Sequence, residues 1–269
     1  FYMDTKINLE GGKQKAKEAY SLFKKLQPDG VIAADDNAQS MFVVPYLKDK
    51  IKTPVMFCGV NAEAEKYGYP ASNVSGILER GHIRESLAFV KQLCPSMKAI
   101  AFIAKYSPSG KALQRQVEKE SGTYLLKVTT FKLVRTVKEL VTVAEELKEQ
   151  CDVIYMESTT GIVDEKGNHL DNKEIIRILE RAFGKPIIGG NEYHVEQGAL
   201  CAVVKTGEEQ GRNAAEMLLK TMQGTPVSEI SITRNYRGKR VINVTVMGRF
   251  DIKPKPIVLL GANLVRTEE

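Results

Sequence analysis

Two rhythms of apolar residues alternate along the chain. Short runs such as "VIAA", "PVMFCGV", "NVSGILE", "KAIAFIA", "DVIYMES", "PIIGG" and "GALCAVV" are apolar at nearly every position, as in strands buried on both faces. Between them lie segments with apolar residues at helical spacing, including "IRESLAFVKQL", "GKALQRQVEKE", "VKELVTVAEELKEQ", "NKEIIRILERAF" and "EEQGRNAAEMLLKTM". Punctuation falls where helices should stop: Pro28-Asp29-Gly30 after the first, Pro95 after the third and Gly224 after the last. Pro45 falls inside "NAQSMFVVPYLKD", where it must kink or shorten a helix.

Strands apolar on both faces that alternate with amphipathic helices predict parallel sheets covered by helices on each side. The 269 residues carry too many such units for one sheet of usual size. The expected fold is therefore α/β, with two doubly wound, Rossmann-like parallel-sheet lobes. Strand-like crossovers are expected near "NVSGILERGH", "GALCAVVKTGEEQ" and "RGKRVIN", which make a three-stranded hinge. Lobe 1 is expected to comprise 1–80 and 206–238, and lobe 2 to comprise 81–205 and 239–269. Ligands of open parallel sheets sit beyond the carboxyl ends of the strands, so two such lobes imply a ligand cleft between them. The strand-end loops "DDNAQ", "GVNAEAEKYGYP", "ERGH", "KYSPSG", "ESTTGIVDEKGNHL" and "GGNEYHVEQG" are rich in Asp, Glu, Asn, Ser, Thr and Tyr, which suits a small polar ligand.

The bulk numbers remove several function classes. A net charge of +6 is spread over helix faces beside Glu, the pattern of a solvated surface and not of a nucleic-acid stripe. The one local basic cluster, Tyr236–Arg240, reads as a turn between two strands. No apolar stretch is long enough to span a membrane. No two of the four cysteines form a CxxC pair, so no zinc pattern exists. Cys94 and Cys151 each precede a strand, and if those strands are parallel neighbours a Cys94–Cys151 disulfide is one possibility.

The pair Asp35-Asp36 at the end of "VIAA" invites a phosphoryl or metal reading, but the neighbouring strand ends in "FCGVN" without a third acid. Two roles remain for Asp35, Asp36 and Asn37: capping the following helix, or facing the cleft. Ser107, Ser109 and Gly110 open a helix before Lys111, without the glycines of a P-loop. They form either an anion-binding helix start or an ordinary Ser/Pro entry. His82, His169 and His194 are the only histidines, and no GxSxG motif accompanies them. Tyr67, Tyr69, Tyr106 and Tyr193 either stack on a ligand or pack their loops. No metal site, cofactor site or catalytic constellation is expected, and the chain reads as a binding protein and not an enzyme.

The segments "YMDTK" (Tyr2–Lys6), "PDGVIAADDNA", "TPVMFCGVNAE", "YGYPASNVSGILE", "LCPSMKAIAFI", "GALCAVVKTGEEQGRNAAEMLLKTMQGT" and "VINVTVMGRFDIKP" occur in that order. This ordered set resembles the ABC-transporter substrate-binding proteins of the type I periplasmic-binding-protein superfamily. The resemblance implies an extracytoplasmic module, periplasmic or extracellular and membrane-anchored, that closes on a small-molecule ligand. In some relatives that ligand is an aromatic amino acid. It implies an ABC permease as partner, or alternatively a fused histidine-kinase or cyclase module in a sensor, with no nucleic-acid partner. By matching position, the ligand-binding residues are Asp36, Asn37, Asn61, Glu79, Tyr106, Ser107, Ser109, Glu157, Ser158, Asn191 and Tyr193. For an amino acid, Asp36 or Glu79 is expected to hold the ammonium group, the Ser107–Gly110 helix start the carboxylate, and a tyrosine the side chain. The family also places a strand and a helix before "YMDTK", whose absence would leave exposed strand edges.

Overall fold

The computed structural model describes residues 9–267 apart from Ser158 and Thr160. The expectations for "YMDTK" and for Ser158 therefore lie outside the described residues. The strands in chain order are β1 (Val31–Ala34), β2 (Val55–Val60), β3 (Val74–Leu78), β4 (Ala99–Lys105), β5 (Lys127–Val134), β6 (Val153–Glu157), β7 (Ile187–Gly189), β8 (Cys201–Val204), β9 (Thr233–Arg234), β10 (Lys239–Asn243) and β11 (Asn263–Val265). The α-helices are α1 (Leu9–Leu26), α2 (Asp35–Ala38), α3 (Ile83–Leu93), α4 (Pro108–Glu120), α5 (Val137–Leu147), α6 (Asn172–Phe183), α7 (Glu192–Glu196), α8 (Gly207–Met222), α9 (Val244–Arg249) and α10 (Pro256–Leu259).

The chain divides into two units, residues 1–80 with 205–237 and residues 81–204 with 238–269. The first holds the parallel sheet β1-β2-β3-β9. Along β2, Val55 and Phe57 enter one apolar cluster with Val43, Leu47 and Tyr69, while Met56 and Cys58 enter another with Ala214 and Met217 of α8. That alternation explains why "VMFCGV" is apolar throughout: each face has its own core. Pro45 is accommodated in a π-helix, Gln39–Leu47, which continues α2. The wide turn is where a helix can tolerate the missing N–H and the bulk of the ring. At one edge, β1 pairs only with β2 among the described residues, and Ile32 is exposed.

The second unit holds the parallel sheet β5-β4-β6-β7. Ile100, Phe102 and Ala104 of β4 pack on one face with Tyr155, and Ala101 and Ile103 pack on the other with Ile154 and Met156. Helix α6 shows how local sequence fixes an element. Asp171 caps it in a reciprocal box with Glu174, and its core stripe is Ile175, Ile176, Leu179, Ala182 and Phe183. It stops at Gly184 in the left-handed conformation.

This architecture refines three of these readings. The run "GALCAVV" forms β8, which pairs antiparallel with β10 in a separate β11-β10-β8 sheet, so the second unit is not parallel throughout. An apolar run records burial and carries no information on strand direction. The segment Tyr236–Arg240, read as a turn between two strands, runs from the link after β9 into β10; the two strands belong to different sheets, and the chain passes from one unit to the other there. Cys94 and Cys151 do not form a disulfide; all four cysteines are free and buried. Cys94 packs in the cluster on one face of the second unit's sheet and Cys151 in the cluster on the other, which separates the thiols despite neighbouring strands.

Candidate functional site

In the second unit, four strands bring their carboxyl ends side by side. The register pairs Ala104 with Glu157, Lys105 with Val134, and Met156 with Gly189. Neighbouring parallel strands lie about 4.8 Å apart, so the segments starting at Arg135, Tyr106, Glu157 and Gly190 form one polar edge. The Tyr155 hydroxyl, at the end of a fully buried ring, donates to Glu157 Oε2 at 3.2 Å. A methyl group at Gly190 would stand 2.5 Å from that oxygen and 2.6 Å from the Tyr155 hydroxyl, so any side chain there would have to push this pair aside. Beyond it, Asn191 Nδ2 donates to the Tyr193 hydroxyl at 3.3 Å. Burial raises the Tyr193 phenol above its ordinary value, and the negative charge of Glu157 adds to the shift. Glu157, Asn191 and Tyr193 thus belong to one acid–aromatic cluster.

The neighbouring segment is electropositive. Ser107 caps α4, its Oγ accepting from Gly110 N at 3.1 Å and lying 3.0 Å from Ser109 Oγ. The α4 amino end supplies further free amides and a positive dipole end. A Cβ at Gly110 would stand 2.1 Å from the Lys105 carbonyl oxygen, so the helix start is held against β4 through a glycine. Tyr106 is exposed, with the Arg135 guanidinium 3.6 Å and Lys111 Nζ 4.3 Å from its ring centroid. Lys111 and then Arg135 pull its phenol below the ordinary value. The edge therefore joins a carboxylate flanked by aromatic rings to a cationic helix start.

In the first unit, the expected residues are engaged with their own chain. The Asp36 carboxylate accepts from Asn61 N at 3.0 Å, Ala62 N at 3.2 Å and the Tyr67 hydroxyl at 2.7 Å. Burial, with this bond to Asp36 second, raises the Tyr67 phenol. The expected helix cap is not there: Ala34 is the N-cap of α2 and no side chain caps it. Asp35 takes a positive φ of 77° and its carboxylate accepts from Asp36 N instead. Asn37 is half-buried, and its carbonyl accepts from Ser40 Oγ. Asn61 is exposed, with Nδ2 donating to Gly59 O. Glu79 pairs with Lys205 at 3.1 Å. Of the four loop tyrosines, Tyr67 and Tyr69 are buried packing residues, and Tyr106 and Tyr193 are exposed.

Several contributors were not singled out from sequence. Arg80 ties its loop by donating to Asn61 O at 3.0 Å and pairing with Glu63 at 2.9 Å. Buried Gln210 accepts from Gly59 N at 2.9 Å, and Asn235 brackets the Arg80 backbone through both N–H and C=O. Arg135 and Tyr155 complete the second unit's edge. Arg135 carried one signal, a charge directly after an apolar strand, but its meeting with Tyr106 depends on which strands are neighbours.

The sequence profile described as ABC transporter substrate binding protein matches residues 8–265. The chain belongs to this family. The tyrosine-binding protein of Clostridioides difficile (strain R20291) is 24% identical over 210 residues, which cover 78% of this chain and 58% of that protein. The chain thus matches less than two thirds of that curated relative's length. Two solved structures share the fold. One is an ABC domain in complex with L-Trp from Streptococcus pneumonia, with TM-score 0.61, 20% identity, and 95% of this chain and 85% of that chain covered. The other is a ligand-free, open substrate-binding protein with adhesive properties from Clostridium difficile, with TM-score 0.75, 19% identity, and coverages of 95% and 84%. Family and fold are those of substrate-binding proteins. For this substrate-binding protein, no described helix is long and apolar enough to cross a membrane. Among the described residues, no group of three or more His, Cys, Asp or Glu could hold a metal ion.

Proposed function

We propose that this chain is an extracytoplasmic solute-binding protein of an ABC uptake system, periplasmic or extracellular and anchored at the membrane. Its ligand is a small amino acid with an aromatic side chain. The observation that carries the reading is the edge of the second unit, where Glu157, held by Tyr155, stands beside Tyr193 and next to the Ser107-capped start of α4. A zwitterion needs an acid for its ammonium group and amides or cations for its carboxylate, and an aromatic side chain needs a ring to pack on. In this reading Glu157 takes the ammonium group, because Asp36 already accepts three donors and Glu79 faces Lys205. Ser107, Ser109 and Lys111 take the carboxylate, and Tyr106 or Tyr193 covers the side chain. Asp36 acts by shaping the loop that carries Asn61. Relatives described as binding tyrosine and L-Trp support the ligand class.

Uptake with an ABC permease as partner is preferred over signalling because the family is that of transporter binding proteins. Ligand-favoured closure about the three crossovers is the proposed mechanism, driven only by contacts that differ between the states. The test is calorimetric titration with the full amino-acid panel, followed by Glu157→Gln. Binding of L-Tyr or L-Trp is expected, with affinity falling at least about tenfold in the variant, as for loss of a charge-assisted contact. No heat from any amino acid would refute the ligand class, and unchanged affinity in the variant would refute the role of Glu157.

A further inference from the structure

Two exposed tyrosines stand on the second unit's polar edge, and their rings are not equally available. Tyr106 follows β4 directly, and its backbone N–H donates to Val134 O at 2.8 Å. That bond sets it beside Arg135, the residue that follows β5. The Arg135 guanidinium is centred 3.6 Å from the middle of the Tyr106 ring, which is van der Waals contact over a face. Lys111, near the start of α4, brings its ammonium to 4.3 Å from the same centre. A ligand ring that stacks needs such a face to itself, and on Tyr106 the chain's own cations hold it. Tyr193 differs. The His194 ring lies tilted against it at 4.3 Å, no cation stands over it among the described residues, and it keeps exposed surface.

The stack also defines what Arg135 can do. Contact with an aromatic ring uses the flat face of a guanidinium and leaves its N–H fork, which lies in the plane, open to an acceptor. Glu139, the acid four residues on, accepts from the Arg135 backbone N–H at 2.7 Å, and the guanidinium has no ion pair among the described residues. Strand β5, which carries Arg135, is two strands from β6, which carries Glu157, and β4 lies between. Stacking on Tyr106 commits the guanidinium to the residue that ends β4, beside the Ser107-capped helix start and one strand from Glu157. One strand spacing is about 4.8 Å, so cation and acid can grip the two charged groups of a single amino acid. We infer that Arg135 holds the ligand's carboxylate bidentately, that Tyr106 is the positioning residue that keeps it there, and that Tyr193 alone packs on the ligand's aromatic ring. This rests on the amino-acid reading of the edge and narrows it.

The experiment titrates L-tyrosine, L-tryptophan and their amides into wild type and variants at about pH 6, where the amino group of the amides is charged. An amide keeps the ammonium group and the ring and lacks only the negative charge, so the ratio of acid to amide affinity reports the carboxylate contact. In Arg135→Gln the ratio is expected to fall at least about tenfold, as for loss of a bidentate charged contact. In Tyr106→Leu it is expected to fall about threefold, because the guanidinium loses its seat, and Tyr106→Phe, which keeps the ring, should recover most of that. Tyr193→Leu is expected to weaken acid and amide alike, each at least about threefold. General damage to the fold lowers both affinities together and does not move the ratio. An unchanged ratio in Arg135→Gln overturns the assignment of the carboxylate. Equal weakening of acid and amide in Tyr106→Leu would make Tyr106 the ligand's platform and overturn the division of roles. Both results leave the amino-acid reading standing, whereas a wild type that binds no amino acid refutes that reading and this inference with it.

Discussion

Replacing Asp36 by alanine should damage the fold of the first unit more than it damages ligand chemistry. Three donors lose their acceptor: Asn61 N, Ala62 N and the Tyr67 hydroxyl. Asn61 is exposed, so water replaces the carboxylate there at little cost. The bonds to Ala62 N and Tyr67 are part-buried, and each stranded donor costs about 1–2 kcal/mol once the exposed share is discounted. The total is about 2–4 kcal/mol, and a domain of this size loses roughly 4 °C per kcal/mol. The first unit is thus expected to melt roughly 10 °C earlier in Asp36→Ala. Asp36→Asn keeps one acceptor oxygen and should recover about half of that loss. Tyr67→Phe removes one donor together with its need, and should be milder than Asp36→Ala. The assay is calorimetric melting of all three variants beside wild type. If Asp36→Ala melts within about 2 °C of wild type, the three bonds contribute nothing and the anchoring argument fails.

Two further outcomes follow from buried titratable groups. His194 is fully buried, both ring nitrogens lack hydrogen-bond partners among the described residues, and burial pushes its imidazole down to about 4. The unfolded chain takes up that proton near pH 6.5, so the folded state holds its full advantage above about 6.5 and loses it as pH falls toward about 4. The loss reaches about 3 kcal/mol, and urea midpoints measured against pH should show it in wild type and not in His194→Leu; an identical acid slope in both would refute the assignment. All four thiols are buried, and burial raises Cys94 and Cys151 to about 11. Ellman's reagent at about pH 8 should therefore label none in the native protein and all four after denaturation; fast labelling of a native thiol would contradict the packing.

The lobes' layered character was legible because strands such as "KAIAFIA" are apolar at consecutive positions, which requires two covered faces. The antiparallel β8–β10 pair was not, since "GALCAVV" reads the same in either direction. The strand-end residues could be picked out because polarity changes abruptly there. Their condition could not. Asp36 is consumed by residues 25 to 31 positions away, and Glu79 by Lys205, which is nearer only in space. Glu157 shows the opposite circumstance: its partner, Tyr155, reads as an ordinary apolar strand residue until the hydroxyl is placed. Propensity and periodicity are local, whereas the availability of a carboxylate is a property of everything that folds around it.

The interrupted course of the first unit has a consequence for synthesis. One face of its sheet is closed by Ala214 and Met217 of α8 and by Ile230, packed on Met56, Cys58 and Ile77. Those covering residues are made only after the whole of 81–204 has been translated. At roughly 5–20 residues per second, the roughly 120 intervening residues take about 6–24 s. Throughout that interval the apolar strip of Met56, Cys58 and Ile77 waits for its cover while residues 81–204 of the second unit are made. The second unit waits in its turn, because its residues 238–269 are made only after 205–237, so neither unit is whole until the chain has crossed between them three times.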